Sequence, residues 1–536
     1  MKLLMTALFG LLCFGSLHAQ VPAIIPQPVE LHVGTWEEKF TIDRGSSILI
    51  SDTALNKSAT FLTDYLLKYY GVAMNILPYA ANEKTKNTIR LIRTASVSPN
   101  DGQYALNVSK KNIEITASTD QGVFYGIQTL LQLLPVKAGS QTLALPAVNI
   151  TDYPRFAYRG MHLDVSRHFF DIAFIKKYID YLALHKLNYF HWHLTDDHGW
   201  RIEIKKHPKL TDIGAWRNGT IIGLYPGTGN DGLRYGGYYT QEEIKEVIRY
   251  ASDRYITIIP EIEMPGHSLG VLATYPELGT EPNKTYKVAQ TWGIFNKFNN
   301  VLQPSEKTFT FLEEVLTEVI ALFPAPYIHI GGDECAKIWW KQSPVSQQII
   351  KENGLKDENG LQSYMIQRIG KFLNGKGKTI IGWDEILEGG LASNAIVMSW
   401  RGEKGGIAAA RQSHKVIMTP ENSMYFNHAQ FVKEDSLTAA KYLPLVSVYN
   451  YEPVPAELSD EQKKFVWGAQ GNLWSEYIDS PAKAEYMLFP RLDALSEVLW
   501  SPREKRNYTD FISRLKSQFK RYDLLKISYS KRYLSN

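Results

Sequence analysis

From Tyr158 onward the chain repeats one rhythm, an apolar β-rich run, a loop and then a helical pattern, and that rhythm leaves few folds open. The runs fall at 160–165, 189–194, 257–261, 327–331, 379–383, 395–400, 416–419 and 466–470. Helical patterns separate most of them. The clearest opens at Thr240, where Glu243 three residues on completes a capping box and predicts a helix through Arg249. Eight such units predict a (β/α)8 barrel, a fold that takes roughly 250 residues and grows by loop insertion. The Gly-rich stretch 219–237 reads as one inserted loop.

The region 20–150 has a different character. Strand-like runs at 47–50, 88–92 and 113–117 alternate with helical patterns at 53–70 and 121–134, until Pro135 and Pro146 break the pattern. The expected architecture is therefore α/β, a TIM barrel over 151–500 preceded by a small α+β domain. A helical tail over 501–536, marked by Phe511, Leu515 and Phe519, is expected to pack on the barrel. Residues 1–19 carry Lys2, a short apolar run and a small residue at Ala19, which predicts a signal peptide and export to the periplasm or beyond. That run is too short to span a bilayer, and no later one reaches the roughly 18 apolar residues a span needs. Leu12 before Cys13 disfavours lipidation. Removing the leader leaves Cys335 alone, so no internal disulfide is expected. Lys and Arg number 59 against 55 Asp and Glu, a balance that excludes the clustered basic excess of a nucleic-acid binder. The 12 Trp and 31 Tyr suit a sugar site, because the apolar face of a pyranose stacks on aromatic rings.

A barrel enzyme builds its site at the C-terminal ends of its strands. There the sequence places Arg167, then His193, Asp196 and Asp197, then Glu261, Glu263 and His267, then Asp333 and Glu334, then Trp383, Trp400, and finally Trp474 and Glu476. Glycoside hydrolysis needs a proton donor for the leaving oxygen and a stabiliser for a cationic anomeric carbon. Glu334 and Asp333 can supply both if Gly331-Gly332 breaks the strand, since neighbours in a regular strand face opposite ways. A donor Glu beside another buried acid would have a raised pKa. On spacing alone the pair reads equally well as acids at a helix start, His267 as a turn residue and each Trp as core. His191 and His193 alternate on one strand face, without a recognisable metal spacing.

The segment His329-Ile330-Gly331-Gly332-Asp333-Glu334 resembles the signature of family 20 glycoside hydrolases, the β-N-acetylhexosaminidases. In the same order, the segments from Tyr158 to Phe169, His191 to Arg201, Pro260 to His267 and Gly471 to Glu476 resemble that family too, and Ile24-Ile25-Pro26-Gln27-Pro28 resembles the start of its small N-terminal domain. The resemblance implies an exo-acting enzyme that releases terminal β-linked GlcNAc, and GalNAc as well. Its mechanism would be substrate-assisted and retaining, through an oxazolinium ion, with no metal or cofactor. By position Glu334 would be general acid and base. Asp333 would orient the acetamido N–H, and Tyr425 would hold its carbonyl. Trp383, Trp400 and Trp474 would box the sugar, while Arg167 and Glu476 would bind ring hydroxyls. Asp196 and His267 would form a relay behind Glu334.

Two residues depart from the family pattern. Glu263 stands where many relatives carry Asp, as a longer support for His267. Asn427 stands where many carry Asp to bind the 6-hydroxyl, which opens tolerance of 6-sulfated GlcNAc. A disaccharide-releasing lacto-N-biosidase and a non-catalytic glycan-binding barrel are the competing readings. The natural glycan and the oligomeric state stay open.

Overall fold

A computed structural model describes residues 21–80, 86–95, 102–137, 143–434 and 436–534, so the leader reading and Cys13 lie outside the described residues. The eight runs form the eight parallel strands of a closed barrel. They are β1 (Tyr158–Asp164), β2 (Tyr189–His193), β3 (Thr257–Glu261), β4 (Tyr327–His329), β5 (Thr379–Trp383), β6 (Ile396–Ser399), β7 (Val416–Met418) and β8 (Val466–Gly471). β1 closes the ring on β8, with Tyr158 opposite Gly468. The Thr240 capping box is present and opens the helix Gln241–Ser252.

A seven-stranded sheet precedes the barrel, in the order Glu30–Val33, Val148–Asp152, Tyr104–Val108, Asn112–Ala117, Thr88–Arg93, Ser47–Ile50, Asn75–Pro78. In Asn112–Ala117 buried residues alternate with half-buried ones, as period-2 patterning demands of a sheet with one covered face. The helix Asp120–Leu133 is buried on nearly every side, because the sheet covers one face and the barrel another. Arg159 at the foot of β1 donates to its Tyr125 hydroxyl (2.7 Å), and Trp500 meets the Tyr125 ring edge-on at 5.1 Å. A fully buried ion pair, Lys186 Nζ to Asp152 Oδ2 at 2.9 Å, also crosses this junction. The tail forms the helix Tyr508–Leu525. It packs on the barrel through Arg514 and Glu497 (2.7 Å) and also reaches the N-terminal domain, since Arg514 donates to the Ile24 carbonyl (2.8 Å). No described helix is long and apolar enough to cross a membrane.

The barrel interior is more polar than a core of stacked aliphatic layers. His162, His191, His193 and His329 are fully buried around Glu261 on β3. Glu261 accepts from His193 and from the Trp383 indole (2.8 Å), with His329 Nδ1 at 2.7 Å and His191 Nε2 at 3.1 Å. Burial opposes ionisation of Glu261, but His329, His193 and His191 outweigh it and hold the carboxyl well below its ordinary value. Beneath this layer lies an apolar one that includes Tyr158, Ile259, Ile381 and Ile417.

Candidate active site

β4 ends at His329, and the chain then turns sharply, with positive φ at Gly331 (66°), Gly332 (93°) and Glu334 (43°). These turns bring Asp333 and Glu334 to the same side, which a continuing strand would forbid. Gly331 is required for space as well as for angle, because a Cβ there would lie 1.7 Å from Glu263 Oε2. The next helix begins at Ile338 with Lys337 as its N-cap, so the two acids are not helix-capping residues.

His267 joins the pair, its Nε2 lying 3.5 Å from both Asp333 Oδ2 and Glu334 Oε2. Its other nitrogen contacts Asp197 Oδ2 at 2.9 Å, while Asp196 Oδ1 is 3.4 Å away. The expected Asp196–His267 contact is present, and Asp197, which the expected relay left out, is the closer anchor. Asp197 is itself held by the Leu269 amide (3.0 Å) and the Asn300 side chain (3.0 Å). The other oxygen of Asp196 meets Arg167 Nη2 at 2.8 Å and His193 Nε2 at 2.9 Å. The expected support of His267 by Glu263 is corrected. Glu263 is buried under Gly331, neither carboxylate oxygen is hydrogen-bonded among the described residues, and its ionic neighbour is His193 at 4.0 Å. Burial, then the charges of Asp333 and Glu261, push its pKa well above the ordinary 4.5.

The charge states follow from these contacts. Burial disfavours the imidazolium of His267, yet Asp196 and Asp333 outweigh it and raise its pKa well above 6.5. Burial raises Glu334, but His267 and Arg167 more than compensate, so in the empty site its pKa lies below the ordinary 4.5. The sequence-based expectation of a raised donor pKa is reversed, because the immediate neighbour of Glu334 is a cation.

The aromatic residues converge as the spacing of the strand ends required. Trp383, Tyr425 and Trp474 form one cluster with the barrel interior, and Trp400 stacks with Tyr425 at 6.2 Å and 19°. Trp383 and Trp474 lie 5.8 Å apart at 45°, two walls of a box. Arg167 lies 5.0 Å over the Trp474 ring and also pairs with Asp164 (3.4 Å). The Arg167 charge favours an ionised Glu476, but burial dominates and raises its pKa. Asn427 is half-buried near the mouth, and its Oδ1 has no hydrogen-bond partner among the described residues. Cys335 is a buried free thiol, pushed by burial up to about 12, which suits packing and not nucleophilic attack.

The sequence reading passed over Glu385. It follows Trp383-Asp384 at the end of β5, accepts from the Trp400 indole (2.9 Å), and is pushed up to about 9 by burial and by Asp333 and Asp384. Acids directly behind the β5 tryptophan were its signal. Asn300 had none, since it sits in a loop without a motif. The groups His162–His191–Glu261, His193–Asp196–Glu263 and Asp196–Asp197–His267 have the composition of metal ligands. In them Glu261, Asp196 and Asp197 already bond imidazole, indole, guanidinium or amide donors.

Residues 156–503 match the family model described as "Glycosyl hydrolase family 20, catalytic domain", and residues 21–153 match its "domain 2". The chain belongs to glycosyl hydrolase family 20. A "Beta-hexosaminidase" of Porphyromonas gingivalis is 42% identical over 513 residues, 94% of this chain and 64% of that protein. This chain therefore spans slightly less than two thirds of that relative. A "Beta-hexosaminidase" of Vibrio furnissii is 37% identical over 88% of this chain and 76% of its own length. Among solved structures, a family 20 exo β-N-acetylglucosaminidase of Vibrio harveyi in complex with N-acetylglucosamine superposes with a TM-score of 0.85. It is 35% identical, over 96% of this chain and 79% of that one.

Proposed function

We propose that this family 20 protein is an exo-acting β-N-acetylhexosaminidase, cleaving terminal β-linked GlcNAc and GalNAc by a substrate-assisted, retaining mechanism. One observation carries the reading. Asp333 Oδ1 is buried beside the Trp383, Trp474 and Tyr425 box with no hydrogen-bond partner among the described residues, an acceptor suited to the donor that an acetamido N–H would supply. The two curated relatives named above are called β-hexosaminidases, which supports the hexosaminidase part of the reading.

The acetamido carbonyl oxygen attacks the anomeric carbon while Glu334 passes its proton to the leaving glycosidic oxygen. The C–O bond to the aglycone breaks, and an oxazolinium ion forms. Asp333 accepts the N–H and offsets the charge on nitrogen, and the Tyr425 hydroxyl donates to the oxygen that attacks. Glu334 then takes a proton from water, which opens the ring with net retention. Substrate must first displace water from Glu334, whose side chain is 40% exposed, and that desolvation raises its pKa towards what a donor needs.

The test compares the p-nitrophenyl β-glycosides of GlcNAc and glucose, using wild type and Glu334→Gln. Hydrolysis of the acetamido sugar alone, lost in the variant, supports the reading. Equal hydrolysis of the glucoside removes substrate assistance, and hydrolysis of neither favours a lacto-N-biosidase or a glycan-binding barrel. Asn427 favours one refinement: with no fixed anion at that position, 6-sulfated GlcNAc is accepted. Equal activity of wild type and Asn427→Asp on the sulfated glycoside would refute this. Export is proposed from the leader pattern, and the N-terminal sequence of the mature protein tests it.

A further inference from the structure

Two loops beside the active site border an open cavity of about 590 Å³ that the proposed mechanism does not use. One is the inserted loop, contributing Ile221, Pro226 and Asn230; the other runs from Lys284 to Asn299. None of Asp333, Glu334, Trp383, Trp400, Tyr425 or Trp474 lines it. Its volume falls in the range of small-ligand sites, roughly 300–1,000 Å³.

Its lining is chemically one-sided. Lys284, Lys287 and Lys297 face it, and no carboxylate does. This is a local excess in a chain whose net charge is only +4. Lys284 is paired with Glu281 from outside the lining (2.8 Å), and Lys297 donates to the Tyr225 hydroxyl while lying over that ring. Lys287 is exposed and has no ion pair or hydrogen bond among the described residues. Tyr286 and Phe298 add aromatic surface, and Asn230, Thr285 and Gln290 add neutral hydrogen-bonding groups. Cations, amides and aromatic carbon together suit a sugar ring that bears an anion.

The cavity shares a wall with the catalytic relay. The Ala289 amide donates to the Asp197 carbonyl (2.9 Å), the Leu269 amide to the Asp197 side chain (3.0 Å), and the Thr291 carbonyl accepts from His198 (2.8 Å). The loops that form it are therefore fixed to the active-site rim.

We propose that this cavity is a second glycan site, which takes an anionic sugar residue bearing a carboxylate or a sulfate ester. The proposal rests on the glycan-hydrolase reading and places acidic glycans among the protein's ligands. The experiment titrates the full-length protein with glucuronic acid and galactose 6-sulfate, with galactose as neutral control, by saturation-transfer NMR and calorimetry. These sugars lack the acetamido group of the catalytic pocket's substrate. Saturable millimolar binding of an anionic sugar is expected, undiminished by saturating GlcNAc and weakened by salt. The two anionic arms decide between carboxylate and sulfate. Combined Lys284→Gln, Lys287→Gln and Lys297→Gln should weaken binding on the order of tenfold and leave hydrolysis of the neutral chromogenic glycoside unchanged. Should the triple variant misfold, the exposed single change Lys287→Glu should produce the same loss in part. Equal binding of galactose, displacement by GlcNAc, no binding, or indifference to both variants would overturn the proposal. Hydrolysis by the same preparation shows separately whether the underlying enzymatic reading holds.

Discussion

Replacing Glu385 by Gln removes one ionisable group from beside Asp333 and keeps the shape of the side chain. The amide oxygen can still accept the 2.9 Å hydrogen bond from Trp400. In the wild type, burial first, then Asp333 and Asp384, push the Glu385 pKa from 4.5 up to about 9, against the pull of Arg401. At pH 7 the folded carboxyl is therefore neutral, while the unfolded one is ionised. The folded pKa lies above the unfolded one in an acid, so unfolding releases a proton, and wild-type stability falls as pH rises from about 4.5 towards 9. Each unit costs about 1.4 kcal/mol, which amounts to about 3 kcal/mol between pH 4.5 and pH 7. Gln cannot ionise in either state and escapes that cost. Thermal unfolding of both proteins at pH 4.5 and pH 7 should show nearly equal midpoints at the lower pH and a variant more stable by several degrees at the higher. Hydrolysis of the chromogenic GlcNAc glycoside at pH 7 should survive in Glu385→Gln and drop in Glu385→Ala, which loses the Trp400 bond. A stability gap independent of pH, or a less stable Gln variant at pH 7, would show that Glu385 is ionised in the fold and refute the reasoning.

Because His267 holds Glu334 below its ordinary pKa until substrate covers it, the alkaline limb of kcat should lie at higher pH than that of kcat/KM; coincident limbs in a pH series would contradict this. Asp197→Asn should lower the His267 pKa. A raised His pKa contributes stability that is present below about 6.5 and lost as pH rises through the folded value, so the variant should lose about 1–3 kcal/mol at pH 6, read by thermal unfolding, and little at strongly alkaline pH. Gly331→Ala must place a methyl group against Glu263 at a φ of 66°, so activity should fall steeply together with the unfolding midpoint, and a wild-type-like alanine variant would mean that the turn is not constrained as described. Lys186→Met should remove the ion-pair partner of Asp152 between the domains and cost about 3–5 kcal/mol in the same unfolding assay.

The barrel was readable in the sequence because strands buried on both faces appear as apolar runs, and 257–261 and 379–383 match their strands residue for residue. The strand at 327–331 was read too long for a reason that matters to function. Its apolar pattern continues through Ile330, and hydrogen bonds to β5 reach Gly331, but the positive φ of Gly331 and Gly332 takes the backbone out of extended geometry, so the regular strand stops at His329. Residues at strand ends were found because polar side chains there have no place in a core. Asp197 was passed over as the closer partner of His267 because both acids lie on the same tight hairpin, Thr195–Asp196 paired with Gly199–Trp200, and only the hairpin's orientation decides which comes nearer. The pKa of Glu334 was misjudged for a similar reason. Sequence adjacency showed the like charge of Asp333, while the opposite charge of His267 comes from a strand end 67 positions away in the chain.

That hairpin also links the barrel's buried polar layer to the reaction site. Asp196 takes the barrel side, where His193 stands between it and Glu261 with a pKa raised to about 10, since burial is outweighed by Glu261 and Asp196. Asp197 takes the side of His267. Cation and anion thus alternate from Glu261 through His193, Asp196 and Arg167 on one branch, and from Asp197 through His267 to Glu334 on the other. Buried ion pairs are weak sources of stability, because desolvation offsets most of their attraction. The stronger argument for this arrangement is positional. Glu261 fixes the Trp383 indole, Asp196 fixes Arg167 over Trp474, and Asp197 fixes His267 against Asp333 and Glu334. One connected set of charges therefore sets the walls of the aromatic box and the protonation of the acid beside it, so a change deep in the barrel should be felt in the chemistry before it is felt in the fold.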